Sequence, residues 1–175
     1  MRLEWEQDLA WADGFRSRLE AIVAGNAGRI VSIRRASEEE DQHHATDCVV
    51  TVETGEIALR VRRPNCAFRD LTLRFRRRPW GALALDPQRG YEVDKILGGF
   101  ARWYLYAWTT PAGGLSDWLL VDLDILRSSG LLEQVLTQDR EQWNRDCTTS
   151  FTWLTYTELV EVGAVVNSTL ERLAA

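Results

Sequence analysis

Lysine is almost missing from this chain. Of its 21 basic residues twenty are arginine, and Lys95 is the one exception. An arginine-biased genome is the plain explanation. A lysine kept amid that bias also offers what arginine cannot, a compact charge whose pKa can fall in a partly desolvated site. Cysteine is scarce and unpatterned: Cys48, Cys66 and Cys147 are odd in number, widely spaced and free of any Cys-x-x-Cys arrangement. That argues against a disulfide framework and for a reducing compartment. The adjacent pair His43-His44, near Asp47 and Cys48, lacks a second ligand pair and makes no zinc pattern. No apolar run approaches the length of a membrane span, and no charged-then-apolar segment opens the sequence. A soluble, cytoplasmic protein with no membrane partner is therefore expected. Positive net charge is missing too. A formal charge of -5 and a pI near 5.1 are unlike the basic domains that usually bind nucleic acid.

What is present is a chain of 175 residues, 45% hydrophobic, enough for one well-filled core and short for two. A single domain over residues 1–175 is expected, without internal repeats or low-complexity segments. Leu3, Trp5, Leu9, Trp11, Phe15, Leu19, Ile22 and Val23 recur at helical spacing and predict an amphipathic N-terminal helix ending at Gly25-Asn26-Ala27-Gly28. Arg29 to Arg35 reads as a first strand, and the acidic stretch from Ala36 to Ala45 as a loop. Arg69 to Arg78 makes a strand with Leu71, Leu73 and Phe75 inward. Tyr91 to Leu97 is a short helix with Glu92 and Lys95 on one face. Arg102 to Trp108 and Asp117 to Leu123 are strands joined by a Thr-Thr-Pro-Ala-Gly-Gly turn. Trp103, Tyr104, Tyr106, Trp108 and Trp118 could stack on bases, but at this alternating spacing they read first as core. Asp122 caps a short helix through Arg127, Leu131 to Thr137 is another helix, and Phe151 to Tyr156 a last strand. Thr155 and Glu158 form a capping box opening a closing helix to about Leu170. The layout predicts an α+β or α/β fold, a mixed central sheet with an N-terminal and a C-terminal helix packed on it.

The centre of the pattern is Asp47 to Arg63, two alternating strands about a Thr54-Gly55 turn. Folded so, Glu53 faces Glu56, Thr51 faces Ala58, Val49 faces Arg60 and Asp47 faces Arg62, all on one polar face. Cys48, Val50, Val52, Ile57, Leu59 and Val61 share the other, a core face. Charge is also segregated along the chain. Arg60 to Arg78 carries eight arginines against one acid, so Arg60, Arg62, Arg74, Arg76, Arg77 and Arg78 are candidate contacts for nucleic acid. If the Arg69 to Arg78 strand joins the same sheet, Arg74 and Arg76 extend the basic surface begun by Arg60 and Arg62.

Helix, strand, a hairpin with an acid at its open end, then helix and strand: this order resembles the PD-(D/E)XK superfamily, the restriction-endonuclease-like fold. The block from Glu92 to Arg127 also looks like small phage and prophage proteins. The resemblance covers roughly residues 1 to 128, leaving a strand-helix extension over 129–175. It implies metal-assisted phosphodiester hydrolysis, with two carboxylates holding Mg²⁺ or Mn²⁺ and a lysine handling the attacking water. Asp47 matches the first acid. Where Glu-x-Lys should follow, the chain has Arg60-Val61-Arg62, or Ala58-Leu59-Arg60 on a shifted register, and neither supplies a carboxylate. Members of the superfamily can move the second acid or the lysine to the next helix, and Glu92, Asp94 and Lys95 are available there. Asp47 and Glu92 are then the metal ligands and Lys95 the third catalytic residue. Three classes follow: a nucleic-acid-binding member with a degenerate motif, which the missing acid favours over cleavage; an active nuclease with the motif migrated; and a protein-interaction module such as a phage-encoded inhibitor or assembly subunit.

Overall fold

The computed structural model describes residues 10–11, 13–35, 37, 48–53, 55–62, 68–77, 92–138, 140–145 and 147–170. Arg16–Asn26 forms helix α1 and Ile30–Arg35 strand β1. Cys48–Val52 (β2) and Gly55–Arg62 (β3) make the expected antiparallel hairpin. Its register differs from the expected one. Val52 pairs with Gly55 and Val49 with Ala58, so the connection lies one residue earlier and the pairing moves by two. A two-residue slip keeps every side chain on its face, where one residue would have reversed them all. Gly55 takes φ +147, and a Cβ there would meet the Arg102 side chain at 3.3 Å, so the conformation and the close neighbour both require glycine.

β3 does not have the open polar face that alternation suggested. From Ile57 to Val61 every residue is buried, which marks a strand covered on both sides. The cause is its second neighbour. Trp103–Thr109 (β5) pairs with it in parallel, Ile57 to Trp103 and Arg62 to Trp108. Parallel neighbours need a crossover connection, which brings covering layers with it. The crossover carries Leu71–Arg77 (β4) and Glu92–Leu97 (α2). Leu115–Asp122 (β6) then pairs antiparallel with β5. Asp122 caps Leu123–Ser128 (α3) by accepting from the backbone N–H groups of Asp124 and Ile125. Leu131–Thr137 (α4) follows as expected.

The C-terminal part departs from expectation. Gln142–Trp143 (β7) and Thr149–Leu154 (β8) join β4 in a second sheet of order β4-β8-β7. The capping box is present: the Thr155 hydroxyl accepts from the Glu158 N–H, and the Glu158 carboxylate from the Thr155 N–H. The helix it opens is only Tyr156–Glu161 (α5). Gly163, at φ +73, ends it, with its N–H returning to the Val160 carbonyl. The β-branched pair after it enters Val165–Ser168 (β9), the edge strand beside β6. The main sheet thus reads β1-β2-β3-β5-β6-β9, mixed and six-stranded, within a single α+β domain.

Two apolar clusters sit on its two faces. On one, Val50, Val52, Ile57, Leu59, Val61, Trp103, Leu105 and Leu120 pack under Phe15, Leu19 and Val23, the last two on α1. On the other, Ala58, Tyr104, Tyr106, Trp108, Leu119 and Val121 meet Leu71 and Leu73 of β4, Val93 and Ile96 of α2, and side chains of α3, α4 and α5. Among the described residues no helix is long and apolar enough to cross a membrane.

Candidate functional site

The parallel pairing of β3 and β5 sets side chains in rows across one face: Ala58 beside Tyr104, Arg60 beside Tyr106, Arg62 beside Trp108. α2 lies over this face. It points Glu92 inward, and at 4% exposure this carboxylate is among the most buried charges of the described residues. One guanidinium nitrogen of Arg60, Nη1, donates to both Glu92 oxygens, at 2.7 and 2.6 Å. The Tyr104 hydroxyl donates to Oε1 at 2.5 Å, and the Arg74 backbone N–H to Oε2 at 2.7 Å. The last bond has a topological origin. β4 is an edge strand of the second sheet, and the carboxylate satisfies an amide that this edge would otherwise leave unpaired.

The electrostatics follow from that geometry. Burial by itself would raise the Glu92 carboxyl, but the Arg60 charge, then Arg74 and the hydrogen bonds, outweigh it and hold the group below the ordinary carboxylate range. Burial likewise works against the charged guanidinium of Arg60, and Glu92 beside it more than compensates, leaving it well above its usual value. Burial and then the Glu92 charge push the Tyr104 phenol well up. At neutral pH the cluster is a carboxylate, a guanidinium and a neutral phenol, each bonded to the others through Glu92.

Glu92 and Lys95 do come together over the hairpin. Both line a small cleft of about 220 Å³ with Ala58, Ile96, Phe100, Tyr104 and Leu123. The C-terminal end of α2 is pinned there by Arg127, whose guanidinium donates to the carbonyls of Ile96 and Ala101 at 3.0 and 3.3 Å. Ala101 takes φ 52 in that turn. Asp47 lies outside the described residues, as do His43, His44 and Arg78, so the described part of the catalytic set is Glu92 and Lys95. Mg²⁺ or Mn²⁺, which the family resemblance implies, does not fit the surroundings of Glu92. Both of its oxygens already accept from donors, one of them a cation. Among the described residues no group of three or more His, Cys, Asp or Glu side chains could hold a metal.

The arginines are separated by the fold. The expected open surface around Arg60 is corrected: Arg60 is 9% exposed and turned inward to Glu92. Because β4 belongs to the second sheet, Arg74 and Arg76 do not extend that face. Arg76 pairs with Glu141 at 3.2 Å and lies 4.7 Å over the Phe75 ring. Arg77 closes β4. Arg62, at the end of β3, is half-buried and sits 6.0 Å from the Tyr106 ring centroid. The aromatic residues are core, as the plainer reading had it: Tyr106 and Trp108 are almost wholly buried, with ring centroids 4.9 Å apart.

No protein-family model matches the chain, and comparison with curated proteins and with solved structures finds no match. Tyr104 as a partner of Glu92, and the pair Arg69 and Asp117, were not among the candidates from sequence. Arg69 bonds Asp117 at 2.9 Å and lies 5.6 Å over Trp108. A signal did exist for their setting. Trp103 to Thr109 holds seven residues without a charge, the mark of a strand covered on both faces, and a strand beside it is covered as well.

Proposed function

We propose that the chain is a non-catalytic, nucleic-acid-associated module of the restriction-endonuclease-like type. The observation that carries this reading is the Arg60–Glu92 pair. In the resemblance Arg60 stands where an acid belongs, and the carboxylate that could replace that acid is held by Arg60 itself. A guanidinium tethered to the chain thus takes the position of a positive counter-charge to Glu92, and repels a divalent cation from it. The order α1, β1, the β2–β3 hairpin, then β4, α2 and β5 supports the fold half of the reading, and Arg62 of β3 with Arg74, Arg76 and Arg77 of β4 supplies the basic groups.

A second reading, a protein-interaction module, is favoured by the pairing of surface arginines. Arg16 meets Glu20, Arg35 meets Asp13, Arg76 meets Glu141 and Arg140 meets Glu158, which leaves less positive field for a polyanion.

One set of assays separates the classes. Gel shifts with single- and double-stranded DNA and with RNA should show binding at low salt that weakens steeply as salt rises, through counterion release. Replacing Arg74, Arg76 and Arg77 together by Ala should lower affinity for every nucleic acid. No cleavage is expected with Mg²⁺ or Mn²⁺. Absence of binding at low salt puts the protein-interaction reading ahead. Chelator-sensitive cleavage lost in Asp47→Ala, Glu92→Ala and Lys95→Arg overturns the non-catalytic one.

A further inference from the structure

Beyond the Glu92 cluster, one end of the same sheet face carries two guanidinium groups set on a pair of aromatic rings. Arg62 on β3, Trp108 on β5 and Asp117 on β6 stand side by side in register. Arg69, which precedes β4, reaches over that row. Its Nε–H donates to Asp117 Oδ2 at 2.9 Å, and its guanidinium carbon lies 5.6 Å from the Trp108 ring centroid. Arg62 rests on the neighbouring ring, its guanidinium carbon 6.0 Å from the Tyr106 centroid. The two centroids are 4.9 Å apart, so both cations sit on one aromatic pair. Each is partly open to water: the Arg69 side chain is 28% exposed and Arg62 is half-buried. Phe68, next to Arg69 in the chain, is 74% exposed, the most exposed large apolar side chain among the described residues.

An exposed phenylalanine by itself is ordinary on a protein surface. The neighbour makes this one different. Adjacent Cα atoms are about 3.8 Å apart, and Arg69 is held by a carboxylate and a ring, so the Phe68 backbone is fixed beside an anchored guanidinium. A flat apolar face next to anchored cations matches the two parts of an unpaired nucleotide. The base stacks on the ring, and the phosphate meets the guanidinium. Holding these groups in place before binding removes part of the ordering cost. We propose that Phe68, with Arg69 and Arg62, forms a contact site for single-stranded nucleic acid, which rests on the nucleic-acid reading above and adds the strand type. The ring makes that selection. In a duplex each base face is already covered by its neighbours, so Phe68 finds a face to stack on only in an unpaired strand.

The test uses the full chain and fluorescence anisotropy with a labelled oligothymidylate, its duplex with oligoadenylate, and an abasic strand of equal length. At low salt the wild type should bind the oligothymidylate more tightly than the duplex or the abasic strand. Phe68→Ala changes a side chain open to solvent, so its circular dichroism should match wild type. It should weaken oligothymidylate binding about tenfold, as loss of one stacked base does, and leave the abasic strand bound as before. Phe68→Trp should keep the wild-type affinity. Arg62→Gln should instead weaken all three, and lower the slope of log affinity against log salt by about 0.7 for the single strand, the loss of one phosphate contact. If Phe68→Ala leaves oligothymidylate binding unchanged, or weakens the abasic strand equally, the stacking site is overturned while the nucleic-acid reading stands. Absence of binding to all three at low salt overturns that reading and the site with it, and leaves Phe68 to a protein partner.

Discussion

Arg60 carries its charge inward, and its cost depends entirely on Glu92. Removing one member of a buried pair strands the other, which typically destabilises by about 3–5 kcal/mol, while replacing both with well-packed apolar residues is often neutral. Glu92→Gln and Arg60→Met are therefore each expected to lower urea-melt stability by roughly 3–5 kcal/mol. The double variant Arg60→Met/Glu92→Leu should lose clearly less than the sum, which a double-mutant cycle reads directly. Single losses under about 1 kcal/mol would contradict so buried a pair. The same cluster sets a pH limb. Because the Glu92 carboxyl is depressed, the folded state binds fewer protons than the unfolded one. The stabilisation is therefore present above the ordinary carboxylate range and is lost as pH falls through the depressed folded value. Acid melts should show a limb there that flattens in Glu92→Gln. At this scale the sequence exposed Glu92 and Lys95 as neighbours on one helix face, since i, i+3 spacing is local. It could not expose Tyr104 or the Arg74 N–H as partners of Glu92, because those meet only through the crossover.

Elements were legible wherever their signals were local. The Thr155–Glu158 box, the Asp122 cap and the Leu131–Thr137 helix all stand as the sequence implied. The alternation of Trp103, Trp118 and Leu120 placed them on one face, and Leu120 is fully buried there with Trp103 beside it. Leu120→Ala is thus expected to cost about 2–5 kcal/mol, as cavity-forming changes in cores do. A urea midpoint unchanged from wild type would refute that packing. What failed was non-local. The length of α5 was overread because a capping box marks a start and says nothing of the stop, which Gly163 supplies. The sheet that β4 joins is open in the sequence, because strand chemistry does not reveal which edge a strand will take. The polar face of β3 was left open because the alternation of two strands cannot show what covers them.

At the scale of the whole molecule, one sheet is covered by α1 on one face and by the second sheet with α2 to α5 on the other. The second layer has no separate core, since Leu71, Leu73 and Leu154 belong to the same apolar cluster as Tyr104 and Trp108. Unfolding should therefore be one cooperative event, with tryptophan fluorescence and far-ultraviolet circular dichroism giving superimposable urea curves. Two separated transitions would show that the β4-β8-β7 layer melts on its own. The parallel β3–β5 pair has a further consequence, in the time of synthesis. On the ribosome β1, β2 and β3 emerge soon after α1 and can close as a meander. The second edge of β3 must wait until β4, α2 and then β5 have been made, which at ordinary elongation rates takes on the order of a few seconds. During that wait the strand bearing Ile57, Leu59 and Val61 offers an open apolar edge to any neighbouring chain. The nascent protein is at its most aggregation-prone when a strand that the finished fold covers on both faces is already complete.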